Sequence, residues 1–192
     1  MPNHIKLTDQ VILQTPRLEL RGLAPQHIHE LFNRFSKTEV MDYLGIEAEA
    51  DYLHYLEMHT KGMENHRLSL FVFILVEIAT NRPIGECGFH TWNNKHNRAE
   101  LFYLLRNDVN KQKGFMTEAL KTIIPFGFNQ MKLHRIAAFV ASWNIPSVKI
   151  LNNFNFTKEG TMRQDYNHQG KQEDSDCFSL LKHEWETTHM LF

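Results

Sequence analysis

Apolar positions along the chain recur with two periods, and the switches between them divide it into elements. Arg17-Leu18-Glu19-Leu20-Arg21 alternates polar and apolar, which predicts a half-buried strand. From Pro25 to Phe35, Ile28, Leu31, Phe32 and Phe35 fall at helical spacing, and Pro25 suits a first turn. A second helix is expected roughly from Ala48 to Met63, with Tyr52, Tyr55, Leu56 and His59 sharing a face. Then the period shortens. Leu68 to Ile78 reads as a buried strand ending at a turn at Asn81-Arg82-Pro83. Ile84 to Trp92 is a second strand, the polar run Asn93 to Arg98 a hairpin loop, and Ala99 to Leu105 a third strand.

Helical spacing returns at Phe115, Met116, Ala119, Leu120, Ile123, Gly127 and Phe128, which predicts a helix with one buried face. Pro125 lies inside it, where a proline removes one hydrogen bond and should kink the helix. Arg135 to Ala141 is strand-like, Pro146 to Asn153 a short helix, and Phe156 to Met162 a strand. The turn Asn167-His168-Gln169-Gly170 separates that strand from a last one at Cys177 to Leu181. Strands that neighbour one another early and later alternate with helices point to an α/β (α+β) fold. The expected architecture is a mixed sheet with helices on both faces.

Composition adds boundaries. A chain of 192 residues, 42% hydrophobic and 22% charged, fills one globular core, so a single domain over 1–192 is expected. No repeat or Pro/Gly/Ser-rich linker divides it. The formal charge of −1 argues against holding nucleic acid or an anionic membrane by bulk electrostatics. Cys87 and Cys177 form neither a disulfide framework nor a Cys-x-x-Cys motif, which suits a reducing cytosol. MPNHIKLTDQ has no signal-peptide core, and the greasy stretch from Leu68 to Ala79 carries Glu77 and is too short to span a bilayer, so a cytoplasmic protein is expected. The 12 histidines include no His-Glu-x-x-His and no cysteine stands at ligand spacing, so no metal is expected.

Candidate chemistry begins at "NKQKGFMTEAL". A strand, a short polar loop and a helix start together present unpaired N–H groups that attract anions. Gly114 lets a ligand approach the backbone, and Lys111 and Lys113 add positive charge. The segment is neither a Walker A loop nor a three-glycine dinucleotide fingerprint. Read alone, it is an anion site or plain loop punctuation.

The stretch "AELFYLLRNDVNKQKGFMTEAL" resembles the central motif of the GNAT acyltransferases, usually Arg/Gln-x-x-Gly-x-Gly/Ala. "TPRLELRGL", "LHRIAAFVASWNIPSVKILNNFNF", "EGTMRQDY" and "SLLKHEW" resemble the RimJ/RimL-like branch in its order, over about residues 15–185. The resemblance implies a mainly antiparallel sheet that splays open near its middle and holds acetyl-CoA in the gap. It also implies that backbone N–H groups of Gln112, Lys113, Gly114, Phe115 and Met116 hold the pyrophosphate. Lys111 stands where Arg or Gln is usual, and Met116 where a small residue is commonest. Leu104 and Leu105 are expected to offer backbone groups to the pantetheine and the thioester oxygen.

By the same resemblance, Glu100 is the leading general base, with a rim salt bridge to Arg98 as its bland alternative. Asp165 in "MRQDY" is the runner-up, against a solvated turn residue. Asn144 would bond the pantetheine and Ser147 protonate the leaving thiolate, since Leu151 occupies the position where many relatives carry tyrosine. Both also suit a helix N-cap. Asn155 replaces a usual glycine and tolerates the left-handed conformation. His90 is expected on the surface or satisfied in the core, and Tyr103 and Trp143 as core or cleft wall.

The implied reaction is direct acetyl transfer to a primary amine. An α-amine of pKa near 8 is roughly a fifth neutral at about pH 7.4, against ~0.1% for lysine, so a protein N-terminus asks least of the base. A lysine side chain and a small amine (polyamine or antibiotic) are the rival acceptors. A non-catalytic acyl-CoA- or partner-binding domain is the rival from another class. The helices from Pro25 to Met63 are expected to wall the acceptor site; an acidic groove would favour polyamines and an open, shallow one a protein terminus. Dimers are frequent among such relatives, so a homodimer belongs among the expected partners.

Overall fold

A computed structural model describes residues 5–65 and 67–189. One sheet of eight strands runs in the order β1-β2-β3-β4-β5-β6-β8-β7. Its strands are β1 (Ile12–Gln14), β2 (Leu18–Leu23), β3 (Ser69–Glu77), β4 (Arg82–Asn93), β5 (Arg98–Leu105), β6 (Arg135–Val140), β7 (Thr157–His168) and β8 (Lys171–Leu181). The helices are α1 (Pro25–Arg34), α2 (Lys37–Leu44), α3 (Glu49–Lys61), α4 (Phe115–Asn129), α5 (Ile145–Asn153) and α6 (Lys182–His189). All neighbouring strands are antiparallel except β5 and β6.

Both faces of the sheet are apolar, which explains why β3 reads as a continuous hydrophobic run. Phe73 and Leu75 pack into one core with α4, while Val72, Ile74 and Val76 pack into a second core with α1, α2 and α3. Consecutive side chains of a strand point to opposite faces, so a strand covered on both sides has no polar position to spare. The helix expected after Gly114 buries the expected face and continues past Pro125 to Asn129.

Several expectations need correction. The turn after β3 spans residues 78–81, and Arg82 and Pro83 already belong to β4, with Pro83 paired to Val76 beside a bulge. There the regular ladder is interrupted, which is where a strand tolerates proline. β7 and β8 are far longer than Phe156–Met162 and Cys177–Leu181, because the turn at Gln169 and Gly170, both at positive φ, lets a ladder close from Thr157↔Ser179 to His168↔Lys171. Asp165 is thus a strand residue rather than part of a turn. β1, α2 and α6 were not foreseen. For α2 the signal was present: Ser36 and Glu39 form a capping box and Gly45 ends the helix at φ 68°.

Candidate active site

The parallel ladder between β5 and β6 is short. It joins Arg98↔Arg135, Ala99↔Ile136 and Glu100↔Ala137, and there it stops. β5 continues to Leu105 on β4, and β6 continues to Val140 on β8, so the two strands part after Glu100. Between them lies a cleft of about 450 Å³. Leu101, Tyr103, Ala138 and Val140 line it together with Asn144 just before α5, Ser147 from α5 and Asp165 from β7. Residues of both parities on β5 face the opening because it passes through the sheet itself. The wider hollow of about 1040 Å³, between the start of α1 and the β4–β5 hairpin, contains none of the predicted site residues.

Glu100 stands where the strands part, half-buried. Burial and then the charge of Asp165 push its carboxyl above the usual value, with a Thr91 side-chain hydrogen bond pulling the other way. The two candidate carboxylates are therefore brought into electrostatic reach, and Glu100 is the one withdrawn from water. The alternative partner Arg98 does not take it. Instead His90 Nε2 lies 3.4 Å from Glu100 Oε1. Burial lowers the His90 pKa. A lowered imidazole beside a raised carboxyl runs against a fully charged pair at this contact. The His90 side chain is 39% exposed and lies at the rim beside Glu100.

At the far end of β5, Leu104 is exposed and Leu105 half-buried, both beyond the last β5–β6 pair. The loop that follows carries a 3₁₀ turn at Asp108–Asn110, then left-handed residues Gln112 (φ 59°) and Gly114 (φ 79°). Gly114 is the N-cap of α4 and no side chain caps the helix, so the first-turn N–H groups of Phe115, Met116 and Thr117 remain open to an anion. Lys113 is exposed, but Lys111 is tied to Asp108 at 2.6 Å, so its charge is largely cancelled locally.

Arg17 fixes this loop, and the residue-by-residue reading missed it. Its Nη1 donates to the Lys113 carbonyl at 3.0 Å, its Nε pairs with Glu118 at 2.6 Å, and its guanidinium lies 4.4 Å from the Phe115 ring centroid. Thr15 Oγ1 and the Arg17 backbone N–H also donate to Glu118. The Thr-x-Arg of "TPRLELRGL" is what holds this loop against β2.

On the opposite wall, Asn144 caps α5 by accepting from the Ser147 N–H at 3.3 Å, so the helix-cap reading of Asn144 holds. The Tyr103 hydroxyl donates to the Ser147 carbonyl at 3.2 Å, tying β5 to α5 across the cleft. Leu151 is buried, Trp143 is an exposed cleft wall, and Asn155 adopts φ 60° as its sequence position suggested. Among the described residues no cluster of three or more potential metal ligands occurs, and no helix is long and apolar enough to cross a membrane.

Comparison with known proteins matches this geometry. The family described as "Acetyltransferase (GNAT) domain" covers residues 17–157. An uncharacterized N-acetyltransferase, p20 of Bacillus licheniformis, is 34% identical over 181 residues, covering 90% of this chain and 97% of the relative. Mutant forms of the spermidine/spermine N-acetyltransferase SpeG from Vibrio cholerae share the fold, with a TM-score of 0.68 at 19% identity over 91% of this chain and 99% of that one. The ribosomal-protein-S5-alanine acetyltransferase of Vibrio fischeri gives a TM-score of 0.65 at 21% identity, over 91% and 98%. Family match and fold agree, and the chain belongs to the GNAT family of N-acetyltransferases.

Proposed function

We propose that this chain transfers an acetyl group from acetyl-CoA directly to a primary amine, with both substrates bound at once. The observation that carries the reading is the cleft where β5 leaves β6, with a raised carboxyl at its vertex and an uncapped helix start beyond its outer end. Acetyl-CoA supplies an activated thioester when bound, and the residues present suit it. The open edge of β5 at Leu104 and Leu105 offers peptide groups to a pantetheine arm. The N–H groups of Gln112 to Met116 suit a pyrophosphate, with Arg17 holding the loop in place.

Glu100 takes the proton from the attacking amine, directly or through water, with His90 beside it. Ser147, whose main chain is anchored by Asn144 and Tyr103, returns a proton to the departing thiolate. Removing that hydroxyl in Ser147→Ala should lower kcat by roughly 10²-fold, the lower end for general acid–base groups. KM for acetyl-CoA should change little, and unchanged kcat would remove Ser147 from the mechanism. One domain over the chain, located in the cytoplasm, fits the two free cysteines. A protein N-terminal α-amine is the acceptor that asks least of Glu100. Two proteins that share the fold are named as a spermidine/spermine and a ribosomal-protein-S5-alanine acetyltransferase, and a polyamine or a ribosomal protein is a chemically competent alternative here.

The direct test is the melting temperature with and without acetyl-CoA. Ligand at 100 times its Kd should add about 2.7 kcal/mol, and each kcal/mol moves a domain of this size by roughly 2–4 °C. A rise of several degrees that ADP alone does not produce is expected. No shift at millimolar acetyl-CoA would make the Gly114 loop mere scaffold and favour a partner-binding domain.

A further inference from the structure

A second hollow, of about 470 Å³, opens on the α3 side of the sheet, and acetyl transfer as such does not require it. Tyr55, Met58, Met63, Leu70, Val72 and Phe102 make its wall largely apolar. Phe102 also lines the cleft between β5 and β6, so the two spaces adjoin at this residue. His90 forms part of the same wall, its ring 5.5 Å from that of Phe102 and its Nε2 3.4 Å from Glu100. A molecule lying in the hollow would bring its polar end to the His90–Glu100 pair.

Among the described residues that line the hollow there is one carboxylate, Glu86, and that charge is already matched. Arg106 Nη2 donates to Glu86 Oε2 at 2.6 Å and the Tyr55 hydroxyl donates to the same oxygen at 2.7 Å. The ion pair is largely withdrawn from solvent, with side chains 12% and 15% exposed. Burial and the Glu86 charge raise the Tyr55 phenol well above its ordinary value, so it stays a donor to that carboxylate. A second ammonium group in this space would therefore find no free anion, and burying a charge unpaired is strongly unfavourable. Two methionines and an aromatic ring instead suit an apolar group of adjustable shape. The space is not the acidic groove that would favour polyamines.

We infer that the acceptor is a primary amine bearing an apolar substituent of several carbons, aryl-alkyl or branched alkyl, which fills this hollow while the nitrogen meets Glu100. This rests on the acetyl-transfer reading above. The same chemistry is offered by a free arylalkylamine and by a polypeptide beginning with Met, Leu or Phe.

The experiment measures kcat/KM with acetyl-CoA for n-propylamine to n-heptylamine, phenethylamine, spermidine, and short peptides beginning with Phe, Met, Ala or Ser. A rise of about fourfold per methylene is expected until the hollow is full, as each buried CH₂ implies. Phenethylamine should exceed spermidine at least 100-fold. Phe- and Met-initiated peptides outrunning phenethylamine would identify a polypeptide terminus as the source, and the reverse a small amine; both support the inference. A Met58→Glu variant that still gains melting temperature with acetyl-CoA should lose the chain-length preference at least tenfold. Should that variant not fold, Met58→Ala serves, because a wider hollow moves the optimum to a longer chain. A flat series, or spermidine or Ala-peptides used as well as phenethylamine, overturns the inference while leaving acetyl transfer intact. Transfer to none of these amines, with acetyl-CoA still bound, would sink the acetyl-transfer reading and this one with it.

Discussion

Replacing Glu100 by Gln is expected to lower kcat by roughly 10²- to 10⁴-fold, the usual worth of a positioned general base, with little change in affinity for acetyl-CoA. The pH profile makes this specific to proton transfer. Burial and the Asp165 charge raise the Glu100 pKa, so its proton is held to higher pH than an ordinary carboxyl would hold it. Activity of the unaltered protein should rise with pH through that raised value, and Glu100→Gln should lose this limb. Stability moves in the opposite sense. A group whose folded-state pKa is raised contributes stability at low pH that is lost as pH rises through the folded value, so at neutral pH Glu100→Gln should melt no lower than the parent. Reduced turnover with an unchanged or higher Tm separates chemistry from unfolding.

Asp165→Asn tests the other carboxylate in the same assay. Removing its charge should move the acid limb to lower pH and leave the plateau rate within a few-fold. If instead Asp165→Asn abolishes turnover and Glu100→Gln is active across the pH range, the role of base passes to Asp165.

The largest stability effect is expected at Gly88, in β4 opposite both Val72 and Phe102. Its φ is +155°, where L side chains rarely sit, and a Cβ there would meet the Phe71 carbonyl oxygen at 2.2 Å and Val72 Cα at 2.9 Å. Those are backbone atoms of β3, which cannot rotate aside as a side chain can. Gly88→Ala should therefore cost about 3 kcal/mol or more, combining overpacking with an unfavourable backbone conformation. For a chain of this size that is roughly 6–12 °C in Tm. Gly160→Ala is the matched control, since nothing lies within 4 Å of its added Cβ, and it should stay within ~0.5 kcal/mol of the parent. A Gly88→Ala protein melting as the parent does would mean that β3 and β4 do not approach as closely as described. Because Gly88 separates Glu86 from His90 along one face, the substitution should also disturb the acceptor side first.

Much of the fold was legible because burial leaves a local record. α4 repeats its apolar positions every three or four residues since one face lies against the sheet, and β3 is apolar from Leu70 to Val76 since both of its faces are covered. Gly114 could be singled out from a strand, a polar loop and a helix start, all adjacent in sequence. Where local signals were weak, elements were shortened or overlooked. β7 is exposed at nearly every position, so it carries no alternation to mark its extent, and its full length emerged only through its ladder with β8.

The chemistry depended on contacts that no local pattern records. A regular ladder continued from the Asn93↔Arg98 pair would set His90 opposite Leu101. A one-residue shift, with Thr91 at φ 47°, sets it opposite Glu100 instead. Because side chains alternate with a period of two, that single slip decides which face His90 occupies and whether it meets the candidate base. Arg17 reaches the anion loop across 96 residues of sequence, and Arg106 reaches Glu86 across 20. Periodicity thus determined which side of each element is buried and where the Gly114 loop meets its helix. Register, the parting of β5 from β6 and the neutralising of Glu86 were decided only by tertiary structure, since each is a relation between segments and not a property of either one.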